Sequence, residues 1–132
     1  MNRVLIVDDM PEVLSVTGDM VEKLGFVPIL ATDARAALDI FRKEKPGLVI
    51  TDLNLGGDMD GVSLCSKIRF EDRLVCVIAM TGYPNQYDLE LCIAAGFADV
   101  LVKPIDLDDL ASSIKCNLDR RQRWVEIGRA HV

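Results

Sequence analysis

Five side chains that could take part in phosphoryl chemistry follow short apolar runs of the sequence, namely Asp8, Asp9, Asp52, Thr81 and Lys103. They comprise three carboxylates, a hydroxyl and an ammonium group. If the apolar runs are parallel strands of one sheet, these groups converge at its carboxyl edge, where open α/β folds bind ligands. An acidic cluster beside a hydroxyl and a lysine is suited to a hard cation and a phosphoryl group.

Three clustered carboxylates are unfavourable without a cation. Unit charges roughly 5 Å apart repel by about 3 kcal/mol at an effective dielectric near 20. Oxygen-only ligands favour Mg²⁺, which keeps several waters and can bridge to a phosphoryl oxygen. We assign Asp9 and Asp52 as direct ligands, Asp8 as a ligand through water, and Asp52 also as the nucleophile. Lys103 would offset phosphoryl charge, and Thr81 would donate a hydrogen bond.

Most of these residues have a plainer structural explanation when each is taken alone. Asp9 could cap a helix that begins at Pro11, Thr81 could be a turn residue, and Lys103 could be a solvated loop lysine. Asp52 has a weaker alternative, because an acid that ends a buried strand loses hydration without compensation. The joint pattern, with every residue on a predicted strand end, favours the functional interpretation.

Strand and helix signals alternate five times along the chain. The strands are predicted at residues 4–7, 27–31, 48–52, 75–80 and 99–102. The first helix starts at Pro11, and its predicted inward face comprises Val13, Val16, Met20 and Leu24. Asp33 and Asp106 are predicted to cap the second and fifth helices. Continuous Val, Leu and Ile runs indicate a sheet covered on both faces, so five βα units imply a doubly wound α/β fold.

Five short motifs along residues 3–118 resemble the receiver domain of bacterial two-component response regulators. They are Asp8-Asp9, Val49-Ile50-Thr51-Asp52-Leu53, Met59-Asp60-Gly61, Thr81-Gly82 and Lys103-Pro104. The resemblance implies a flavodoxin-like five-stranded parallel sheet in the order 2-1-3-4-5. It implies that Asp52 accepts a phosphoryl group from a sensor histidine kinase or phosphotransfer protein, with the backbone carbonyl of Asn54 as a further Mg²⁺ ligand. Output would pass through helix 4, strand 5 and helix 5 to a homodimer or an output domain.

The chain departs from the family pattern near the predicted site. The loop at residues 53–60 is one residue longer than usual, has Gly56 where proline is common, and is expected to be flexible. Its acids, Asp58 and Asp60, are expected to be solvated or to cap a helix. Val100 stands where the family usually carries a rotating Tyr or Phe, and valine has one stiff torsion. Tyr83 puts an aromatic ring beside the site and could replace that rotor, shield the phosphoryl group or be a plain surface residue.

Composition limits the other classes of protein. The 132 residues suit a single domain, predicted at residues 1–119, followed by a basic helical extension and tail at 120–132 whose end looks non-native. His131 lies in that tail and is not expected to act in phosphotransfer.

A net charge of −6 argues against direct nucleic-acid binding. No apolar stretch approaches the roughly 20 residues of a membrane span, so a cytoplasmic protein is expected. The four cysteines lack Cys-x-x-Cys spacing and are expected to be reduced and mostly buried.

Three functional classes follow. The favoured one is a phosphoryl-accepting switch whose only catalysis is its own phosphoryl transfer and slow autodephosphorylation. The second is a receiver-like interaction module that is not phosphorylated, which the longer loop and Val100 keep open. The third, a hydrolase or nucleotide enzyme, is disfavoured for two reasons. Asp52-Leu53-Asn54 lacks the second acid of the Asp-x-Asp motif of haloacid-dehalogenase-type hydrolases, and neither a P-loop nor Gly-x-Gly-x-x-Gly occurs.

Overall fold

The computed structural model describes residues 2–83 and 89–130, but of residues 129 and 130 it describes only the backbone. In this part of the chain the strands are β1 (Arg3–Val7), β2 (Val27–Ala31), β3 (Leu48–Asp52), β4 (Cys76–Thr81) and β5 (Asp99–Val102). The helices are α1 (Pro11–Lys23), α2 (Ala34–Glu44), α3 (Gly61–Glu71), α4 (Leu89–Ala95) and α5 (Leu107–Ala130). All strand pairs are parallel, in the order β2-β1-β3-β4-β5, which confirms the predicted doubly wound fold.

Two apolar layers cover the two faces of the sheet, as the continuous apolar strands predict. Alternate residues of β1 show the division, because side chains on a strand point to opposite faces. Leu5 and Val7 belong to the cluster packed beneath α2, α3 and α4. Val4 and Ile6 belong to the cluster packed beneath α1 and α5. Within residues 2–83 and 89–130, the structure contains no helix both long and apolar enough to cross a bilayer.

The predicted inward face of α1 is only partly correct, because Met20 and Leu24 are partly buried against the core beneath α1 and α5 but are not its most buried residues. The helix buries Leu14, Thr17, Gly18 and Val21. Val16, predicted to face inward, is 53% exposed. Two features let polar and small residues occupy the buried stripe: Gly18 lies against Leu30 of β2, and the Thr17 hydroxyl donates to the Val13 carbonyl at 2.8 Å. The buried stripe therefore centres on Leu14 and Val21, and Val16 lies on the exposed side of the helix, while Met20 stays partly buried against the core.

Within the described residues, aspartate side chains cap α2, α3 and α5. Asp33 accepts a hydrogen bond from the backbone N–H of Ala36 at 2.8 Å, which confirms the predicted cap of α2. Asp106 accepts from the N–H of Asp108 at 2.7 Å in the first turn of α5. Asp60 accepts from the N–H of Ser63 at 2.8 Å, so the loop that follows β3 ends in a capped helix. Each cap satisfies an amide that the helix itself leaves unpaired.

Candidate functional site

Strand register brings the predicted site residues to one edge of the sheet. Val7 of β1 lies opposite Thr51 of β3, and Thr81 of β4 lies opposite Val102 of β5. The residues that follow Val7, Thr51 and Val102 are Asp8, Asp52 and Lys103, so they meet Thr81 where the strands end. β4 starts and ends one residue later than predicted, which makes Thr81 the last residue of its strand.

The three carboxylates form a compact group. One oxygen each from Asp8, Asp9 and Asp52 can be chosen such that all three lie within 4.8 Å of one another. Asp8 is fully buried and Asp52 is 6% exposed, whereas Asp9 is exposed to solvent. A Cβ on Gly56 would lie 3.5 Å from Asp9 Oδ2, so the loop after β3 lies against this acid. The donor set and its open side suit a hard divalent cation that retains some of its waters.

Lys103 connects two members of this group. Its Nζ donates to Asp8 Oδ2 at 2.8 Å and to Asp52 Oδ2 at 3.0 Å, and its side chain is only 18% exposed. Burial acts to lower the pKa of Lys103, but the hydrogen bonds and charges of the two carboxylates outweigh it and raise that pKa above its usual value. The ammonium group is therefore fully charged at neutral pH and offsets part of the negative charge.

Asp52 combines burial with a set of donors. Burial raises the pKa of this carboxyl, and although the Lys103 hydrogen bond and the Asn54 backbone N–H act to lower it, the pKa remains above its usual value. The Asn54 N–H donates to Oδ1 at 3.1 Å, while Lys103 holds Oδ2. A raised pKa means that ionised Asp52 is less stable here than in water, so a nearby cation would favour its nucleophilic form.

Thr81 is almost fully buried at the end of β4. Its Oγ1 accepts a hydrogen bond from the backbone N–H of Tyr83 at 3.0 Å, and its carbonyl accepts from the N–H of Lys103 at 2.8 Å. A hydroxyl that accepts can also donate its own hydrogen. Tyr83 is 62% exposed, and Val100 is half-buried against the core beneath α2, α3 and α4. A backbone contact thus links Thr81 to the end of β5.

Position 61 requires glycine for a steric reason that the sequence motif alone does not show. A Cβ at this position would lie 2.1 Å from the Asp52 carbonyl oxygen and 2.9 Å from Leu53 Cα. The Gly61 N–H also donates to the Leu53 carbonyl at 3.0 Å. The start of α3 therefore packs directly on the backbone of the candidate acceptor residue, and only glycine leaves the space for it.

An ion pair between Arg35 and Asp58 escaped prediction. The Arg35 guanidinium donates twice to Asp58 Oδ2, at 2.7 and 3.2 Å, and both side chains are largely exposed. This contact joins α2 to the Gly-rich loop near Asp9, across 23 positions of sequence, and no local pattern signals it. Asp58 is thus exposed, as expected, but paired. The Asn54 carbonyl remains a predicted ligand, and His131 lies outside the described residues.

Comparisons with known proteins agree with this fold. The response regulator receiver domain family model matches residues 4–115. The chain is 30% identical over 113 residues to the sporulation initiation phosphotransferase F of Bacillus subtilis (strain 168), covering 86% of this chain and 90% of that protein. It is 31% identical over 120 residues to the transcriptional regulatory protein YxdJ of the same organism, covering 91% of this chain and about half, 52%, of that protein.

A solved structure shares the fold over nearly its whole length. The response regulator protein TrrA from Thermotoga maritima, determined in complex with Mg(2+)-BeF, matches with a TM-score of 0.81 at 26% identity. The match covers 89% of this chain and 99% of that one. Fold and strand-end site define an α/β signalling domain of the two-component class. The chain belongs to the response regulator receiver domain family.

Proposed function

We propose that this chain is a phosphoacceptor receiver domain in which Asp52 takes a phosphoryl group in the presence of Mg²⁺. The observation that carries the proposal is the convergence of three carboxylates with Lys103, which bridges Asp8 and Asp52 at 2.8 and 3.0 Å. The relative TrrA was determined with Mg(2+)-BeF, and a second relative is named a phosphotransferase. Cytoplasmic location and a histidine kinase or phosphotransfer protein as donor belong to the same proposal.

The chemistry needs one substitution at phosphorus. A carboxylate oxygen of Asp52 forms a bond to the phosphorus of a phosphohistidine, the P–N bond breaks, and its electron pair stays on the imidazole nitrogen. Lys103 and the cation would offset the charge on the phosphoryl oxygens, and the Thr81 hydroxyl would donate to one of them. Asp9, Asp52 and the Asn54 carbonyl would hold Mg²⁺ directly, with Asp8 binding through a water.

The first prediction tests the acceptor function itself. Incubation with acetyl phosphate and Mg²⁺ should add one phosphoryl group, because the carboxylate cluster then carries its cation and Asp52 is ionised. Intact-mass spectrometry reads the adduct, and parallel samples in EDTA should show little or none. An adduct that forms equally well in EDTA would contradict the role of the metal, while no adduct under any condition would favour a receiver-like module that is not phosphorylated.

That alternative gains no support from the site. A degenerate receiver would be expected to lose the acceptor, an acid or the lysine, whereas all of them are present and in contact here. The longer loop leaves Asp52 hydrogen-bonded to the Asn54 N–H, and the pair of Arg35 and Asp58 holds its outer part. Val100 lies outside the acceptor cluster, so it bears on how a signal would leave the site and not on whether Asp52 accepts a phosphoryl group.

An apolar groove beside Lys103 suggests where a protein donor docks. It encloses a cavity of about 560 Å³ between α1 and the start of the β5–α5 loop. Its apolar lining includes Val13, Val16, Met20, Pro104 and Ile105. A donor histidine must come within bonding distance of Asp52, so the surface next to Lys103 is covered during transfer. We infer that a helix of the donor protein lies in this groove, against the exposed side of α1 around Val16.

The second prediction separates docking from chemistry. Val16→Glu places a charge in the groove and removes one apolar contact with the docked helix. Loss of one such contact corresponds to about a tenfold change, so phosphoryl transfer from the cognate kinase should slow by about tenfold. Acetyl phosphate needs no docking surface and should act at the wild-type rate. Phe70→Glu, at a residue 92% exposed on α3, is the matched control and should leave both rates unchanged. Equal slowing with both donors would place the defect in the site and contradict the docking role.

Output would leave through a different face. Leu89, Leu91 and Ile93 of α4 are 62–65% exposed, and Val102 of β5 is 54% exposed. Added phosphoryl charge would draw Thr81 and Lys103 toward Asp52 and shift the loops around α4 and β5. We propose that this α4–β5–α5 face serves a homodimer or an output domain, with residues 1–119 as the receiver unit. Backbone movement near Thr81 would carry the change, since Val100 cannot rotate as an aromatic switch does.

A further inference from the structure

A second charged cavity lies at the opposite end of the sheet from Asp52. It has a volume of about 160 Å³ and opens where β4 begins and just before β5. Four arginines line it, Arg69, Arg73, Arg120 and Arg121, and Trp124 is also part of the lining. Trp124 is 60% exposed. The chain thus gathers four positive charges and an aromatic ring around one concavity, although its net charge is −6.

Backbone contacts hold two of these arginines in place. Arg69 donates to the carbonyls of Gly96 and Arg73, both at 2.8 Å. The space beside it is tight, because a Cβ on Gly96 would lie 2.7 Å from Arg69 Nε. Arg121 of α5 donates to the Leu74 carbonyl at 3.0 Å. Neutral carbonyls orient these guanidinium groups but leave their charge uncompensated.

No carboxylate balances this cluster within the described part of the chain. Arg3, Arg35 and Arg42 each have a carboxylate oxygen within 4.0 Å, whereas none of the four cavity arginines does. The nearby Asp72 carboxylate instead accepts from the N–H groups of Leu74 and Val75.

The acid at the start of β5 is also engaged elsewhere. Asp99 accepts from the Ser113 hydroxyl at 2.6 Å and from the N–H of Val100 at 2.8 Å. Like charges gathered at one surface repel, so an anion in the cavity would relieve the arginines as a cation relieves the acidic cluster. The arginine-lined cavity therefore offers an anion site whose positive charge is not neutralised by nearby acidic side chains.

We propose that this cavity binds the phosphate group of a small molecule, at a site separate from Asp52. Guanidinium groups match phosphate oxygens with paired hydrogen bonds, and Arg73 and Arg120 can turn toward a ligand held by Arg69 and Arg121. The volume suits one or two phosphate groups. The exposed face of Trp124 can stack on a ring attached to them, so the ligand is a free polyphosphate or a nucleotide.

Trp124 is the sole tryptophan of the chain, so its fluorescence reports on this site directly. The protein is titrated with pyrophosphate or ATP in EDTA, which removes the metal that Asp52 would need, at an ionic strength held constant with sodium chloride. A saturable fluorescence change is expected with both ligands. Tighter binding of ATP would identify a nucleotide, and equal affinities would identify a free polyphosphate as the ligand.

The double variant Arg73→Gln/Arg120→Gln should weaken binding at least about tenfold, since two charge-assisted contacts are lost. Neither side chain holds a backbone carbonyl in the described structure, so a melting curve close to wild type is expected. Arg42→Gln, which removes an arginine paired with Glu71, is the matched control and should bind normally. The proposal would be overturned if chloride alone reproduced the response or if the double variant bound with unchanged affinity. It would also be overturned if the protein responded only to an acidic peptide, titrated in the same way, and not to pyrophosphate or ATP.

Discussion

Asp52→Asn is expected to remove phosphoryl acceptance completely, since a neutral amide oxygen is far less nucleophilic than a carboxylate and neither neighbouring acid is placed as Asp52 is. Asp8 has similar contacts, with Lys103 and the N–H of Met10, but it is fully buried, and Lys103 pairs with Asp8 and Asp52 rather than with Asp9. Intact mass after acetyl phosphate and Mg²⁺ should show no adduct in this variant. Asp33→Asn, which changes an exposed helix cap, is the matched control and should be phosphorylated as the wild type is. A persistent adduct in Asp52→Asn would assign the acceptor elsewhere.

The same variant should melt at a higher temperature without metal. The folded-state pKa of Asp52 is raised above its unfolded value, chiefly by burial. Its contribution to stability is therefore complete below the unfolded pKa of about 3.9 and is lost as pH rises through the folded pKa. At pH 7 in EDTA the ionised carboxylate costs stability, and Asn should raise the Tm.

The dependence of the Tm on pH and on Mg²⁺ tests this explanation. The gain should shrink as the pH falls toward the ordinary carboxyl pKa, because Asp52 then becomes protonated in the wild type. Mg²⁺ should raise the Tm of the wild type more than that of the variant, since the ion relieves repulsion only where the carboxylate is present. A lower Tm for Asp52→Asn at pH 7 in EDTA would mean that pairing with Lys103 outweighs the cost of burial.

Gly61→Ala is expected to destabilise the fold by about 3 kcal/mol, a large effect for one methyl group. The new Cβ would meet the Asp52 carbonyl oxygen at 2.1 Å and Leu53 Cα at 2.9 Å, and both obstacles are backbone that cannot rotate away. Relief requires α3 to move off β3 or the Asp52 backbone to shift. Denaturant unfolding measures the first effect, and the rate of phosphorylation by acetyl phosphate should fall as well because the nucleophile moves.

Gly128→Ala is the matched control for that experiment. Gly128 is exposed in α5, and a Cβ placed on it would meet nothing within 4 Å beyond its chain neighbours and the backbone of its own helix. The same chemical change should therefore stabilise the helix by about 0.5 to 1 kcal/mol, the difference in helix propensity between the two residues. A Gly61→Ala protein as stable as the wild type would show that α3 yields easily and that the close approach to Asp52 has no structural importance.

The fold and the composition of the candidate site could be predicted because their signals are local. Each β-strand is a short apolar run, and the parallel arrangement places every carboxyl end at one edge. Asp8, Asp52 and Lys103 therefore had to come close once the strand order was right, and the order follows from the family resemblance. The caps at Asp33 and Asp106 were predictable for the same reason, since a capping side chain reaches only two or three residues along the chain.

The tertiary structure was needed wherever two segments compete for the same space or charge. The most buried positions of α1 are Leu14, Thr17, Gly18 and Val21, so Val16 is left exposed and lines the groove beside Lys103. The pairing of Arg35 with Asp58 and the gathering of arginines around the second cavity join residues far apart in sequence. Helical periodicity shows that a face is apolar, but which face is buried depends on the fit between surfaces, and that fit exists only after the chain has folded.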